Sequence, residues 1–431
     1  MTSEVDSSNI LVIGGGLAGL TTAALLARSG REVTLFEQSS NEIGGRARTS
    51  QFDGFYFNQG AHALYLSDLG STVLQDLGVA YTGGVPPGKG DSYLIIQGRR
   101  HQVPSNYSWV SSRKSLDNSG KIEDNSFFES LAGIDFSQLE GVTVQEWLDK
   151  NIQDKNLAEI IKTIVRLNTY SNDPDIQSIG SALKQLYLAS SGGTMYLDGG
   201  WQTLVDGLLA AAKNAKARIV MGKKTTRLKR KDSEWQVTLS DKTQVSAKIV
   251  VIAAGPKDAY SLFPDNERPE VLSKAAKESK PVRVACLDVA LSSLPDKDAL
   301  FALGVDRPLY FSVHSAYARL APENNGALIH LAKYLGTSIE PRPREDQQQL
   351  EEFLELMQPG WREVLVKKRP LPDMVVSNAL VSAAAGGLAG RSDVKVADNL
   401  YIVGDWVGNE GLLSNASFAS ARRAAQLILN E

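Results

Sequence analysis

Gly14, Gly15, Gly16, Leu17, Ala18 and Gly19 stand between an apolar run, Ile10-Leu11-Val12-Ile13, and an Ala-rich apolar stretch that closes at Gly30. Val33-Thr34-Leu35-Phe36 follows, then Glu37 and Gln38. Strand, Gly-x-Gly-x-x-Gly, helix, strand and acid, in that order, are the fingerprint of a dinucleotide site. Gly14 allows a sharp exit from the strand. Gly16 leaves room for a pyrophosphate, and Gly19 lets helix and strand approach closely. The helix N-terminus aims free N–H groups and its positive dipole end at phosphate. Glu37 can accept hydrogen bonds from both hydroxyls of an adenosine ribose, and its charge disfavours a 2′-phosphate.

Three further groups of residues suit the same ligand. Gly44-Gly45-Arg46-Ala47-Arg48 reads as a loop over the cofactor, with Arg46 or Arg48 donating to the pyrophosphate. Gly60-Ala61-His62-Ala63 is a small-residue turn that lets backbone lie against a flat ring. His62 is one of four histidines, and a place beside the cofactor is favoured for it over a proton-transfer role. Gly404 and Asp405 end the apolar run Leu400-Tyr401-Ile402-Val403. A carboxylate there can bind the hydroxyls of a ribityl chain. Leu412 and Leu413 lie in a segment leading into a last helix from about Ser417. Its N–H groups would stabilise negative charge on the pyrimidine side of a reduced flavin. A second site so far along the chain from the first argues for FAD rather than NAD.

The elements that must position these residues follow from hydrophobic spacing. Phe52 to Asn58 alternates like one strand. A hairpin is expected at 93–103 around Gln97-Gly98, within a Gly-, Pro-, Ser- and Asn-rich stretch, 81–125. Residues 126–190 read as a helical cap, with a helix starting at Asp173-Pro174. A helix over Thr203 to Lys213 leads into alternating strands, and Lys248 to Pro256 is an apolar run returning to the central sheet. Residues 260–390 alternate strands with helices, including one over Gln347 to Met357. The expected organisation is an FAD-binding domain made of 1–70, 196–258 and 396–431, and a substrate domain made of 71–195 and 259–395.

The chain has 431 residues and a net charge of −3, with no basic block suited to nucleic acid. One cysteine, Cys286, excludes an internal disulfide framework and suits a reducing compartment. No apolar run reaches the ~18 residues of a membrane span. The polar, acidic N-terminus is unlike a signal peptide. The expected location is cytoplasmic, with peripheral membrane contact through the cap as an option, and no metal site is expected.

The stretches VIGGGLAGLTTAALLARSGREVTLFE with IGGRART, NQGAHALY and LYIVGDWVGNEGLLSNASFASARRAA together resemble the FAD-dependent oxidoreductases of the amine oxidase, protoporphyrinogen oxidase and phytoene desaturase superfamily. The turn FNQGAHALY is most similar to the phytoene desaturase-like branch. The resemblance covers a little under half the chain. It implies an α/β, glutathione-reductase-like Rossmann FAD-binding domain with an inserted α+β substrate domain. It further implies that Gly60 to Ala63 face the ring, that the Thr225 backbone meets adenine, and that Asp405 and Leu413 hold the ribityl and pyrimidine parts. With no cysteine near Asp405 in the sequence, the FAD is expected to be non-covalent. A ring-facing lysine of the family would correspond to Lys333, and an aromatic beside the Gly-Asp pair to Trp406. With His62, these are the weak catalytic candidates.

A flavin site of this type needs no side-chain triad, because N5 of the ring takes a hydride while the protein positions substrate and excludes water. The first expectation is a dehydrogenase, desaturase or oxidase of an apolar small molecule such as an isoprenoid, reoxidised by oxygen or a quinone. The second is an amine or amino-acid oxidase, with Arg166, Arg283 or Arg319 as a carboxylate anchor. The third is a flavoprotein whose FAD serves a structural or chaperone role.

Overall fold

The computed structural model describes residues 7–67, 69–86, 92–103, 114–116, 122–124, 131–322 and 326–431. Two sheets carry the fold. In the first, Ser7–Ile13 lies between Val33–Phe36 and Gln244–Ile252, parallel to both, and Arg218–Val220 flanks Val33–Phe36. The far edge of Gln244–Ile252 is shared. Its first half pairs antiparallel with Glu234–Leu239, and its second half pairs parallel with Leu400–Ile402. The C-terminal strand thus sits two places from Ser7–Ile13. Such strands are buried on both faces, which is why they read as unbroken apolar runs. The helices Leu17–Arg28, Gln202–Asn214 and Leu413–Asn430 belong to this layer, and Leu11, Leu20, Leu208, Val251 and Phe418 share its core.

The second sheet runs in the order Leu365–Ser377, Val282–Leu291, Ala327–Leu335, Leu309–Val313, Phe301–Gly304, Ser92–Ile96, Arg99–Gln102. Strand periodicity gives it two different faces. Leu287, Phe311 and Leu331 pack against Phe353 and Leu354 of the helix Pro343–Met357. Val284, Cys286, Tyr310, Ala332 and Tyr334 point the other way, into a core shared with the helices Lys155–Thr169 and Ile179–Gly192. These helices form the cap. Asp154 caps the first through the amides of Asn156 and Leu157, and Ser178 caps the second through Ser181.

The Gln97-Gly98 hairpin forms as expected, both turn residues having positive φ. Several boundaries move. Phe52 to Asn58 is not one strand. Asp53 and Gly54 turn the chain, and Thr49–Phe52 pairs back on Phe55–Asn58. No helix starts at Asp173-Pro174; it starts at Ile179, behind the Ser178 cap. The last helix begins four residues earlier than Ser417, at Leu413. Val73, Leu74 and Leu77, from 71–195, and Ala259, Phe263 and Leu272, from 259–395, lie in the core of the first layer. The short segments just past 70 and 258 therefore pack with the nucleotide fold. Residues 87–91, 104–113, 117–121 and 125 of the 81–125 stretch, and 126–130 of the expected cap, lie outside the described residues.

Leu354 is fully buried between the helix and the second sheet. Leu354→Ala is expected to cost about 2–5 kcal/mol. Chemical denaturation should show a lower midpoint with an unchanged slope.

Candidate functional site

A cavity of about 950 Å³ opens where the two sheets meet, at the C-terminal ends of the parallel strands. Its first half is built from the glycine fingerprint. Gly14 turns out of the strand at φ +106°, and a Cβ at Gly19 would sit 1.9 Å from the Gly14 carbonyl oxygen. Only glycine permits that packing of helix on strand. The helix starts at Leu17, with Gly16 before it. The first amides of a helix have no intrahelical partner, and Gly16, Leu17 and Ala18 line the cavity here. Gly44 donates its N–H to the Gly15 carbonyl, which lays the Gly44-Gly45-Arg46 loop over that helix start. The Glu37 carboxylate is held by the backbone N–H groups of Gly15 and Ser39, both at 2.8 Å. A carboxylate has about four acceptor positions, so capacity is left for ligand hydroxyls.

Asp405 is the junction of the site. It is almost fully buried and accepts from Arg46 Nη1 at 3.0 Å, from the Asn378 backbone N–H at 2.9 Å and from Asn378 Nδ2 at 2.7 Å. Burial alone would raise its pKa. The Arg46 charge and the hydrogen bonds from Arg46 and Asn378 outweigh burial and hold it below the usual carboxylate value. Three segments therefore converge on one carboxylate: the glycine–arginine loop, the C-terminal strand, and the end of the second-sheet strand Leu365–Ser377. Leu413 follows with φ +54°, an uncommon conformation for leucine, at the start of the last helix and on the cavity wall.

The turn Gly60 to Ala63 forms the cavity wall between its two halves. His62 Nδ1 lies 3.1 Å from the Gly60 carbonyl, and its ring packs on Trp201 at 4.9 Å. Burial pulls the His62 pKa down to about 4, and the Gly60 carbonyl opposes this. His62 is thus a neutral imidazole whose Nδ1–H is donated. Beyond the turn, neutral side chains line the second half, among them Ile164, Leu167, Tyr170, Leu186, Phe301 and Met374. Among the described residues, the charged side chains lining the cavity are Glu37, Arg46, Arg48, Lys223, Lys224, Asp258 and Asp405, which belong to the first half, its loops, and the Asp405 junction.

The model of the flavin containing amine oxidoreductases matches residues 17–429. The chain belongs to that family. A putative flavin-containing monoamine oxidase from Mycobacterium tuberculosis is 28% identical over 280 residues, which cover 59% of this chain and 59% of that protein. A 4,4′-diapophytoene desaturase from Staphylococcus aureus is 40% identical over 72 residues, 17% of this chain and 14% of that one. The chain therefore matches well under two thirds of the length of these curated relatives. Among solved structures, a triple mutant of putrescine oxidase superposes with a TM-score of 0.74 at 15% identity, covering 98% of this chain and 99% of that one. That likeness is one of fold.

FAD is the cofactor of this flavin family, and the residues here suit it. Thr225 Oγ1 and Trp201 Nε1 are buried on the cavity wall without a hydrogen-bond partner, so each offers a ligand a polar group. Of the residues singled out from sequence, Gly14, Gly15, Gly16, Leu17, Ala18, Gly19, Glu37, Gln38, Gly44, Gly45, Arg46, Gly60, Ala61, His62, Ala63, Thr225, Gly404, Asp405 and Leu413 line the cavity. Three do not. Leu412 packs with Val381 and Leu388 in a small core of its own. Trp406 is buried in the core of the first layer and donates Nε1–H to the Ala254 carbonyl, so it cages nothing. Lys333 lies on the helix-facing side of its strand, where Nζ pairs with Asp346 at 2.6 Å. The single shift of strand parity removes it from the ring. Arg166, Arg283 and Arg319 are also outside the cavity wall, bonded to Thr163, to Asp373 and to Asp198. Sequence reasoning missed Asn378, Tyr170, Tyr196, Tyr310 and His314. Tyr310 and His314 share one face of a strand and its continuation, a period-2 signal the apolar run concealed.

Two outcomes are expected. Asp405→Ala leaves the Arg46 charge and both Asn378 donors without their acceptor, and the purified protein should carry less than about a tenth of the flavin of the unmodified one, as for loss of a buried charged partner. Second, an unfolded histidine binds its proton near pH 6.5, whereas folded His62 resists to about pH 4. His314 is shifted in the same direction. Stability is then complete above pH 6.5 and falls as pH drops toward 4. Denaturation midpoints between pH 7 and 5.5, where ordinary carboxylates stay ionised, should show this decline, and His62→Asn should make it shallower, leaving the His314 part.

Proposed function

We propose that this member of the family is an FAD-dependent oxidoreductase that dehydrogenates an uncharged, largely apolar small molecule. The observation that carries the reading is the second half of the cavity, where the described lining side chains are aliphatic, aromatic and uncharged polar. An ammonium or carboxylate substrate would be desolvated there without an opposite charge, which is costly. An apolar substrate gains by the same transfer. The Arg166, Arg283 and Arg319 positions lend no support to an amino-acid oxidase.

When bound, FAD supplies a two-electron acceptor that takes hydrogen from a substrate carbon. The chain's residues do the rest. Gly14 to Gly19, Glu37 and the Gly44–Arg46 loop hold the nucleotide half. Asp405 and the helix start at Leu413 hold the part nearest the ring. The Gly60–Ala63 turn presents backbone to the ring face, and Tyr170 braces that turn by donating its hydroxyl to the Ala61 carbonyl at 3.0 Å. The apolar wall orients substrate and excludes water. FAD is held without a covalent bond in this reading. Cys286, the one cysteine, is buried beside Gly60, and burial pushes its thiol far above the ordinary value, so it is not a thiolate. The electron acceptor is oxygen or a quinone.

The test is anaerobic mixing of the flavin-loaded protein with a panel of isoprenoid hydrocarbons and alcohols and, separately, of primary amines and amino acids. Bleaching of the flavin bands by the apolar set alone is expected. Bleaching by amines alone would replace the reading with amine oxidation. Flavin released into the supernatant on acid precipitation is expected, and flavin retained on the pellet would refute non-covalent binding.

A further inference from the structure

A polar rung crosses the otherwise apolar second sheet. Arg369, Asp288, His330 and Ser312 are direct register partners on four adjacent strands. Asp288, His330 and Ser312 are fully buried. Arg369 donates to Asp288 Oδ2 through Nε at 3.2 Å and Nη2 at 2.6 Å, and His330 Nδ1 lies 2.6 Å from Asp288 Oδ1. The next ring is His314, edge-on to His330 with centroids 4.4 Å apart. His314 Nε2 lies 3.0 Å from the Tyr310 hydroxyl. Tyr196 stacks on the His314 ring at 3.7 Å and 12°, and its hydroxyl lies 3.2 Å from Ser312 Oγ and 3.4 Å from the Tyr310 hydroxyl. Tyr310, His314 and Tyr196 all line the cavity, while Arg369 also donates to the Asn58 carbonyl, just before the Gly60–Ala63 turn.

The two ends dictate the tautomers. Beside Arg369 the Asp288 carboxylate is held below its ordinary pKa and accepts a hydrogen bond from His330 Nδ1; in its neutral form His330 then offers a lone pair at Nε2. If Tyr310 donates to His314 Nε2, then His314 carries its proton on Nδ1. His330 Nε2 and His314 Nδ1 are the two buried ring nitrogens of this cluster that have no partner. One is then an acceptor and the other a donor, on rings in contact. Buried polar atoms are rarely left unpaired, and the two rings lie edge to face with centroids 4.4 Å apart. A merely structural rung would end at Ser312; this one continues to a hydroxyl on the substrate side of the cavity.

We propose that Asp288, His330, His314 and Tyr310 form a proton relay in the cavity wall, with the Tyr310 hydroxyl as its substrate-facing end and the Asp288–Arg369 pair as its buried anchor. The inference rests on the dehydrogenation reading. Oxidising a substrate by two electrons removes two hydrogens. One leaves with the electron pair to the flavin. The other leaves as a proton, accepted by Tyr310 Oη as its own proton passes to His314 Nε2; His314 Nδ1–H passes to His330 Nε2, His330 Nδ1–H passes to Asp288 Oδ1, and the carboxylate holds that proton until the transfers run back. Tyr310 is the catalytic residue; His314, His330 and Asp288 are positioning residues, in the way that a buried carboxylate sets a histidine tautomer.

The decisive measurement needs no substrate. Flavin-loaded protein labelled with 15N-histidine is compared with Tyr310→Phe and Asp288→Asn by two-bond 1H–15N correlation. His314 and His330 are both expected in the Nδ1–H form. Tyr310→Phe should move the nitrogens of His330 as well as those of His314, and Asp288→Asn should move His314 as well as His330. Shifts confined to the directly bonded ring, or His314 protonated at Nε2, would overturn the relay. Tyr310→Phe preserves core volume, so it decides the question even where Asp288→Asn does not fold. With a donor that bleaches the flavin, Tyr310→Phe should slow reduction by about 10²-fold or more at unchanged flavin content, the usual scale of general acid–base assistance, and an unchanged rate would refute the assignment. Failure of every apolar donor would sink the dehydrogenation reading while the spectra still decide the relay.

Discussion

One buried carboxylate ties the molecule together. Asp405 ends the last strand of the first sheet, yet its partners come from the glycine–arginine loop and from the end of the long strand Leu365–Ser377 in the second sheet. A buried carboxylate left without partners would be expensive, so the Arg46 loop and Asn378 are required where they stand. This brings the opening of the cavity, the helix start at Leu413 and the Gly60–Ala63 turn into one register. The cavity wall and the docking of the second sheet on the first therefore share a single interaction.

The second sheet shows how strand periodicity distributes chemistry. Lys333 and Tyr334 are neighbours in sequence, but one meets Asp346 on the outer helix and the other enters the core under the cap. Likewise Phe311 packs outward, whereas Tyr310 and Ser312 face inward. The outer face is apolar around Leu287, Leu331 and Leu354. The inner face combines an apolar field with one complete polar rung, satisfied at the Asp288 end by Arg369. The cap helices Lys155–Thr169 and Ile179–Gly192 close this inner face and contribute Ile164, Leu167 and Leu186 to the uncharged part of the cavity wall.

Similarity reaches both a putative monoamine oxidase and a 4,4′-diapophytoene desaturase, so family membership leaves substrate class open. The cavity of this chain bears on that question. Among the described residues its charges lie on Glu37, Arg46, Arg48, Lys223, Lys224, Asp258 and Asp405, while His314, Tyr196 and Tyr310 are buried on its uncharged wall.

Local sequence determined the nucleotide half. Gly14, Gly19 and Glu37 act on atoms within one βαβ unit, and their spacing alone dictates the turn, the close packing and the carboxylate position. Alternation and turn chemistry likewise specified the Gln97-Gly98 hairpin, and Gly404-Asp405 at a strand end was legible as a carboxylate on the cavity wall. What only the tertiary structure decided are contacts between distant segments. Strand parity, which depends on where each strand is anchored, turned Lys333 away from the ring; burial in the first core did the same for Trp406. Asn378 acquired a role because the end of its strand meets Asp405. The Arg369–Asp288–His330–Ser312 rung joins residues up to 81 positions apart, and it exists because four strands align in one register, a relation that no spacing along the chain encodes.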